Sequence, residues 1–499
     1  MCRICDARAG ISRRGVLAGS VTAAAAGASG LFMPGAARAQ TADAPAETGA
    51  PGRRILIRGG HVMSMDDEVG DLEGGDVLIE GSEIVEIGHD IEADDAEVID
   101  ASGRIVMPGF IDTHHHQFQT ALRGFLADGI LFDDGTPEGS RNYLDYILGR
   151  FSGVYRPEDV RINELFGSLS QLDSGVTTVL DVSQIHNSPE HSDAAIEGLA
   201  AARRRSVFGY FEGQGEGAEY PQDARRIREQ HFPGDDGLMT MIMGGEIYLP
   251  DGHEAAWELG RELDLKIAYH VVGALGMAEP FEALATSGAV TSDHILIHMT
   301  GMTDAAWEGV RDAGAHVSLA VPIEMQMRHG TPPLLKMQEM GMAPSLSTDV
   351  ECTMTADFFT QMRATLTLQR MFVNEMALDG VEERPRMLTA RDVLRYATIE
   401  GARGLGLEGR TGSLAPGKQA DILILDAEAI NVAPLNNVPG AVVTLMERNN
   451  VETVLVAGEI RKWQGVMQDV DLGALRGELT ASRDHLFEAA GIDRALFEG

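Results

Sequence analysis

From residue 55 onward the chain reads as short apolar runs broken by glycines and polar pairs. ILIRGGHVMSM, GDVLIEGSEIVEIG and AEVIDASGRIVMPG alternate apolar and polar positions between Gly-bounded turns, which predicts the strands of a small β domain. The pattern returns near the other end, in ADILILD (420–426) and ETVLVAGEIR (452–461). The two terminal segments are expected to join in one β-sandwich, with everything between them inserted. That middle region has a different rhythm. Eight apolar runs, at about 106–116, 176–182, 206–213, 238–249, 265–272, 294–300, 316–322 and 343–349, alternate with helix-like stretches such as 304–313. Repeated strand–helix units imply a parallel sheet, and eight of them close a (β/α)₈ TIM barrel. The expected organisation is a linker at 40–53, an N-terminal β-sandwich segment at 54–107, the barrel at 108–405, a C-terminal β-sandwich segment at 406–470 and a peripheral helical tail at 471–499.

The first 39 residues follow another logic. Arg13-Arg14 precedes a mild Ala- and Gly-rich stretch that ends at Ala37-Arg38-Ala39. A positive start, an apolar middle and a small-residue site make a cleavable secretory signal. SRRGVLAG resembles the twin-arginine type, which carries folded proteins, so a periplasmic or secreted location is expected. Ser, Thr and Gly weaken the stretch as a membrane anchor, so no stable membrane association is expected after processing. Cys2 and Cys5 lie ahead of the cleavage site, leaving Cys352 as the mature chain's cysteine.

Charge narrows the partners. The formal net charge is -36 at pH 7, with only Lys266, Lys336, Lys418 and Lys462 as lysines. Such a surface repels phosphate backbones and disfavours nucleic acid. A small molecule is the expected ligand, and a homo-oligomer is left open.

Candidate chemistry sits at the strand ends. The first barrel run finishes in His114-His115-His116. Strand side chains alternate, so His114 and His116 share a face while His115 points away. Taken alone, such a cluster is also compatible with an exposed His run. His270, His298 and Asp349 end three further runs, and barrel strands converge at that end, so these residues can meet around one ion.

This order of ligands resembles the amidohydrolase superfamily. PGFIDTHHH is similar to its PGFxDxHxH signature, LEGRTGSLAPGKQADILILD (407–426) to its C-terminal one, and LRGFLAD (122–128) to the branch holding cytosine and guanine deaminases and chlorohydrolases. The resemblance spans roughly 55–465. It implies one divalent metal held by His114, His116, His270 and Asp349, with zinc favoured and iron or manganese also suited to such a set. It further implies a metal-activated water as nucleophile, Asp349 as the base that moves its proton, and His298 orienting that water or polarising a carbonyl. The strand-four lysine of binuclear relatives is absent: the run ends Gly244-Gly245-Glu246. The strand-five His-x-x-Glu of ring deaminases is also absent, because His270-Val271-Val272-Gly273 stands there. The expected reaction is therefore C–N hydrolysis of a cyclic or acyl amide. Deamination or dechlorination of an N-heterocycle and a non-catalytic metal- or solute-binding barrel are the alternatives. Glu324, Arg123 and Gln117 are the candidate substrate-binding residues.

Overall fold

The structure, a computed structural model, describes residues 43–249 and 253–496. The expected signal segment, with Arg13-Arg14, Cys2 and Cys5, lies outside the described residues. Five strands come first: β1 (Arg54–Met63), β2 (Asp71–Glu80), β3 (Glu83–Gly88), β4 (Glu97–Asp100) and β5 (Arg104–Pro108). Eight barrel strands follow: β6 (Phe110–His115), β7 (Val176–Ser183), β8 (Arg205–Tyr210), β9 (Met239–Gly244), β10 (Ile267–Val272), β11 (His294–Thr300), β12 (His316–Leu319) and β13 (Ser345–Leu346). The last four are β14 (Ile422–Asp426), β15 (Val451–Val456), β16 (Glu459–Trp463) and β17 (Val466–Met467).

The terminal strands from both ends of the chain make one nine-stranded, continuously hydrogen-bonded sheet, separate from the barrel. β1 changes partner along its length. Its first half pairs with β4 and its second half with β5, with register breaks around Gly60 and Gly59 at φ +76° between them. One apolar core serves strands from both ends of the chain, including Ile57, Val77, Val106, Ile424 and Leu455. β5 pairs antiparallel with β14, which brings the C-terminal segment home.

The run expected as a single first barrel strand is split at Gly109. β5 stays in the terminal sheet and β6 enters the barrel. A side chain at 109 would place its Cβ 2.0 Å from Thr177 Oγ1, so only glycine lets the chain cross so close to the next strand.

β6 to β13 lie in chain order and pair in parallel. Closure is completed just beyond β13, where His116 N–H donates to Asp349 O (2.9 Å) and Asp349 N–H to His114 O (3.0 Å). The barrel is thus sewn shut by the backbones of its expected metal ligands. The C-terminal helix Leu472–Ala490 is not peripheral. Its Phe487 packs against Phe125 and Phe151 at ring-centroid distances of 5.1 Å, bracing the segment that follows β6. Among the described residues no helix is long and apolar enough to cross a membrane.

Candidate metal centre

Side chains named from separate strand ends meet at one point. His114 Nε2 lies 2.9 Å from His116 Nε2 and 3.2 Å from His270 Nε2. Asp349 Oδ1 stands 3.4 Å from His116 Nε2 and 3.7 Å from His114 Nε2, and its Oδ2 stands 3.6 Å from His298 Nε2. Ligands about 2.0–2.1 Å from a zinc-sized ion are themselves about 3–3.4 Å apart, so these spacings suit coordination. The electronic state suits it too. Burial first, and the neighbouring imidazoles second, hold His114 and His116 well below the ordinary histidine range. They stay neutral and offer lone pairs. Burial pushes the Asp349 carboxyl up to about 7, against the opposing pull of His270. The donor set fits one divalent cation.

The supporting contacts explain the orientation. Glu246, fully buried at the end of β9, accepts from His270 Nδ1 at 2.6 Å and from His270 N–H at 3.1 Å. The proton is thereby held on Nδ1, and Nε2 turns its lone pair to the cluster. Asp112 accepts from His114 N–H (3.2 Å) and Thr348 N–H (3.1 Å), tying the ends of β6 and the eighth strand together. His115 points away from the cluster, as alternation requires, and its Nδ1 meets Asp349 O at 2.9 Å. His298 and Asp349 adopt φ +74° and +58°, left-handed conformations that cost energy in a non-glycine residue and cluster at functional sites.

The three expected substrate-binding residues hold other partners, and none of them is among the lining residues of the cavity beside the cluster. Gln117 is buried in a polar network, donating to Glu164 (3.0 Å) and accepting from Arg204 (2.7 Å) and Ser168 (3.1 Å); its place at the start of the 3₁₀ turn aims it into the barrel wall. Arg123 pairs with Glu351 at 2.9 Å and lies over the Phe166 ring, away from the site cavity. Glu324 is buried behind His298. Its Oε1 lies 3.1 Å from His298 Nδ1 and accepts from Ala320 N–H (2.9 Å). With Glu324 ionised, the proton sits on Nδ1 and His298 Nε2 carries a lone pair that can orient a water. Burial raises the Glu324 carboxyl well above its ordinary range, and once protonated it donates to Nδ1 instead, leaving Nε2 to donate. Burial, then His329, keeps His298 well below the ordinary range.

The cavity beside the cluster holds about 290 Å³. Its walls are mostly apolar, with Leu131, Leu144, Leu148, Val272, Leu275 and Met327. Among the described residues no Arg, Lys or Glu lines it; its polar walls are the cluster itself, Tyr143, Gln184, Tyr248 and His329. Met327 follows the seventh barrel strand and reaches this wall. Phe358 and Phe359 pack in the core against Phe110, and Met325 is 53% exposed. The sequence reading missed Tyr143, Leu144 and Leu148, the last two carried by a π-helical segment, Leu144–Phe151. Such segments are rare and frequent at functional sites, but a sequence carries no clear signal for them. His329 was missed as well. It is 4% exposed, its Nδ1 has no partner, and its ring lies 4.6 Å from that of His298.

A family model described as the amidohydrolase family matches residues 105–461. The chain belongs to the amidohydrolase family. It is a hydrolase of carbon–nitrogen bonds other than peptide bonds. Among curated relatives, it is 28% identical to a 5'-deoxyadenosine deaminase of Methanosarcina mazei, over 83% of this chain and 93% of that one. It is 27% identical to a 5-methylthioadenosine/S-adenosylhomocysteine deaminase of Symbiobacterium thermophilum, over 82% and 93%. Among solved structures, an adenosine deaminase of Xanthomonas campestris with bound zinc superposes with a TM-score of 0.76 at 23% identity, covering 87% of this chain and 98% of that one. An atrazine chlorohydrolase of Arthrobacter aurescens complexed with zinc superposes with a TM-score of 0.74 at 22% identity, covering 86% and 100%.

The strand-five departure from the ring-deaminase pattern has a steric side. A Cβ at Gly273 would lie 2.9 Å from both Gly301 O and Thr300 O. The ends of β10 and β11 are packed too closely for any side chain. Gly273→Ala is therefore expected to cost about 1–3 kcal/mol, as overpacking does, read as a lower urea midpoint. An unchanged midpoint would show that the turn has room after all.

Proposed function

We propose that this enzyme hydrolyses the C–N bond of a small, neutral cyclic or acyl amide at the cluster of His114, His116, His270 and Asp349. The carrying observation is Gly273, whose close packing leaves no acid at the position from which a ring deaminase protonates its substrate. A divalent cation held by these four residues, zinc by the support of the two zinc-bound neighbours, would supply Lewis-acid activation of water and of a carbonyl. Asp349 takes the water's proton on its carboxylate and returns it to the departing nitrogen, so one group serves both transfers. With Glu324 ionised and holding its Nδ1 proton, His298 accepts a hydrogen bond from the water at Nε2 and fixes its direction. The apolar walls exclude bulk water, and the lack of a lining cation among the described residues disfavours carboxylate or phosphate substrates. Turnover of 2-piperidone, hydantoin, dihydrouracil and N-acetyl amines, assayed beside cytosine, guanine and 5'-deoxyadenosine, tests this. Hydrolysis in the first set is expected.

A second reading, deamination of an N-heterocycle, is favoured by the deaminase activities that the two curated relatives are named for. Ammonia release from the aromatic set, with every amide untouched, selects it and overturns the first.

We also propose that the enzyme is exported through its twin-arginine segment. Arg13 and Arg14 replaced together by lysine should leave it in the cytoplasm; unimpaired export by that double variant removes the claim.

A further inference from the structure

Three polar residues from three successive strand ends form a chain along one cavity wall. Gln184 follows β7, Glu212 follows β8 and Tyr248 follows β9. The Tyr248 hydroxyl donates to Glu212 Oε1 at 2.5 Å, and Gln184 Nε2 donates to the Tyr248 oxygen at 3.2 Å. Gln184 and Tyr248 line the cavity, as His116 and His270 do. Glu212 stands behind them.

The order of donors in this chain follows from its far end once Glu212 is ionised. Burial, then Glu246, pushes that carboxyl up to about 7, so the order holds above that pH. A tyrosine hydroxyl has one proton, and here it goes to the carboxylate. Towards everything else the Tyr248 oxygen can only accept. Gln184 must therefore turn its NH₂ to Tyr248, which leaves its Oε1 as an acceptor, and that atom is buried with no partner. Glu212 Oε2 is also buried without one. Unsatisfied buried acceptors cost about 1–3 kcal/mol each, so a ligand that brings a donor relieves a standing penalty. Among the described residues, no other polar wall of the cavity has its hydrogen-bond direction set by a carboxylate in this way, apart from the metal cluster and its partners.

We propose that Gln184 and Tyr248, held in direction by Glu212, form a recognition wall that selects substrates carrying an N–H group, such as secondary amides, lactams and cyclic imides, over their N-alkylated counterparts. The assignment rests on the amide reading above for its substrate class, but not for its geometry. Gln184 and Tyr248 touch the substrate. Glu212 acts through Tyr248 and is a positioning residue. A site built to hydrogen-bond a group rejects analogues lacking it strongly, because its own polar atoms are left unpaired. In an otherwise apolar cavity of this size, one such wall would decide which edge of a small ring faces the metal.

The test uses binding, so it is separable from turnover. The purified metal-loaded protein is titrated with glutarimide and N-methylglutarimide, and with 2-piperidone and N-methyl-2-piperidone, by saturation-transfer NMR. The wild type is expected to bind the N–H member of each pair at least about 10-fold more tightly. Tyr248→Phe and Gln184→Leu should reduce that ratio towards unity while leaving affinity for the N-methyl members unchanged, which shows that the preference is not simply one of size. Glu212→Leu should reduce it as well. Glu212→Gln retains an acceptor oxygen and should keep it. A wild type that binds both members equally overturns the proposal, as does a preference that survives Tyr248→Phe and Gln184→Leu together. If a turnover assay is in hand, a large kcat loss in Glu212→Gln with KM unchanged also overturns it, because the carboxyl would then be a proton donor. If no amide is turned over yet the binding ratios follow the expected order, the functional reading fails and the recognition wall stands.

Discussion

Asp349→Asn is expected to lower kcat by about 10²–10⁴, the scale of a lost general base, with little loss of fold. Geometry supplies the first half of that expectation. Among the described residues, Asp349 is the only carboxylate within 4 Å of both His114 and His116, and no other acid lines the cavity. Burial supplies the second half. An unpaired buried carboxylate is a cost to folding, and the backbone hydrogen bonds that close the barrel at Asp349 do not involve its side chain. Thermal unfolding of the metal-free variant should therefore match or exceed that of the wild type. The same variant separates an enzyme from a non-catalytic barrel. A binding protein would show weakened metal affinity and no activity to lose. Full turnover by Asp349→Asn on any substrate of the wild type would falsify its role as the base.

Glu246→Ala is expected to weaken metal affinity about 10–100-fold, the usual effect of removing a carboxylate behind a metal-binding histidine. The His270 ring is held by this one side chain at Nδ1, 2.6 Å away, while Nε2 faces the cluster. Without it the imidazole is free to change tautomer and rotate. Glu246 also raises the His270 pKa against the opposing effect of burial, so its loss leaves a ring that is less basic and a poorer ligand. Glu246→Gln keeps an oxygen acceptor and should fall between the two. Competition with a chelator of known affinity measures all three. Equal affinities would mean that the ring is held by packing alone.

These effects bear unequally on what could be read in advance. The (β/α)₈ barrel was legible because short runs rich in apolar and β-branched residues, such as 176–182 and 294–300, alternate with helix-like stretches. The observed strands Val176–Ser183 and His294–Thr300 match them closely. The metal cluster was legible for a related reason. A residue at a strand's C-terminal end is placed by local alternation and by the barrel's common polarity, so His114, His116, His270, His298 and Asp349 could be brought together without any tertiary contact, and the family resemblance singled out four of them as ligands. The division of His115 from its neighbours follows from the same alternation. Its hold on the Asp349 carbonyl does not.

The split at Gly109 escaped the pattern. IVMPGFID reads as one run because nothing in its hydrophobicity marks a change of sheet, whereas the crossing depends on the distance between Gly109 and Thr177. The contacts of the expected substrate residues were hidden for a similar reason. Gln117, Arg123 and Glu324 were chosen as polar groups close to strand ends in sequence, yet each holds a partner on another segment: Arg204, Glu351 and His298. The groups that do line the cavity come from loops after different strands, and π-helical Leu144–Phe151 and the bracing C-terminal helix carry no periodic signature of that task.

By itself, then, the sequence determined the barrel and placed candidate ligands at its strand ends, because both depend on side-chain periodicity; the choice among those ligands and the meaning of Gly273 came from the family resemblance. Only the tertiary structure decided that no side chain fits at 273, that Glu324 lies behind His298, and which polar groups line the cavity. Those depend on hydrogen-bond partners and close approaches between segments distant in the chain, and pairing of that kind is set by packing rather than by any local pattern.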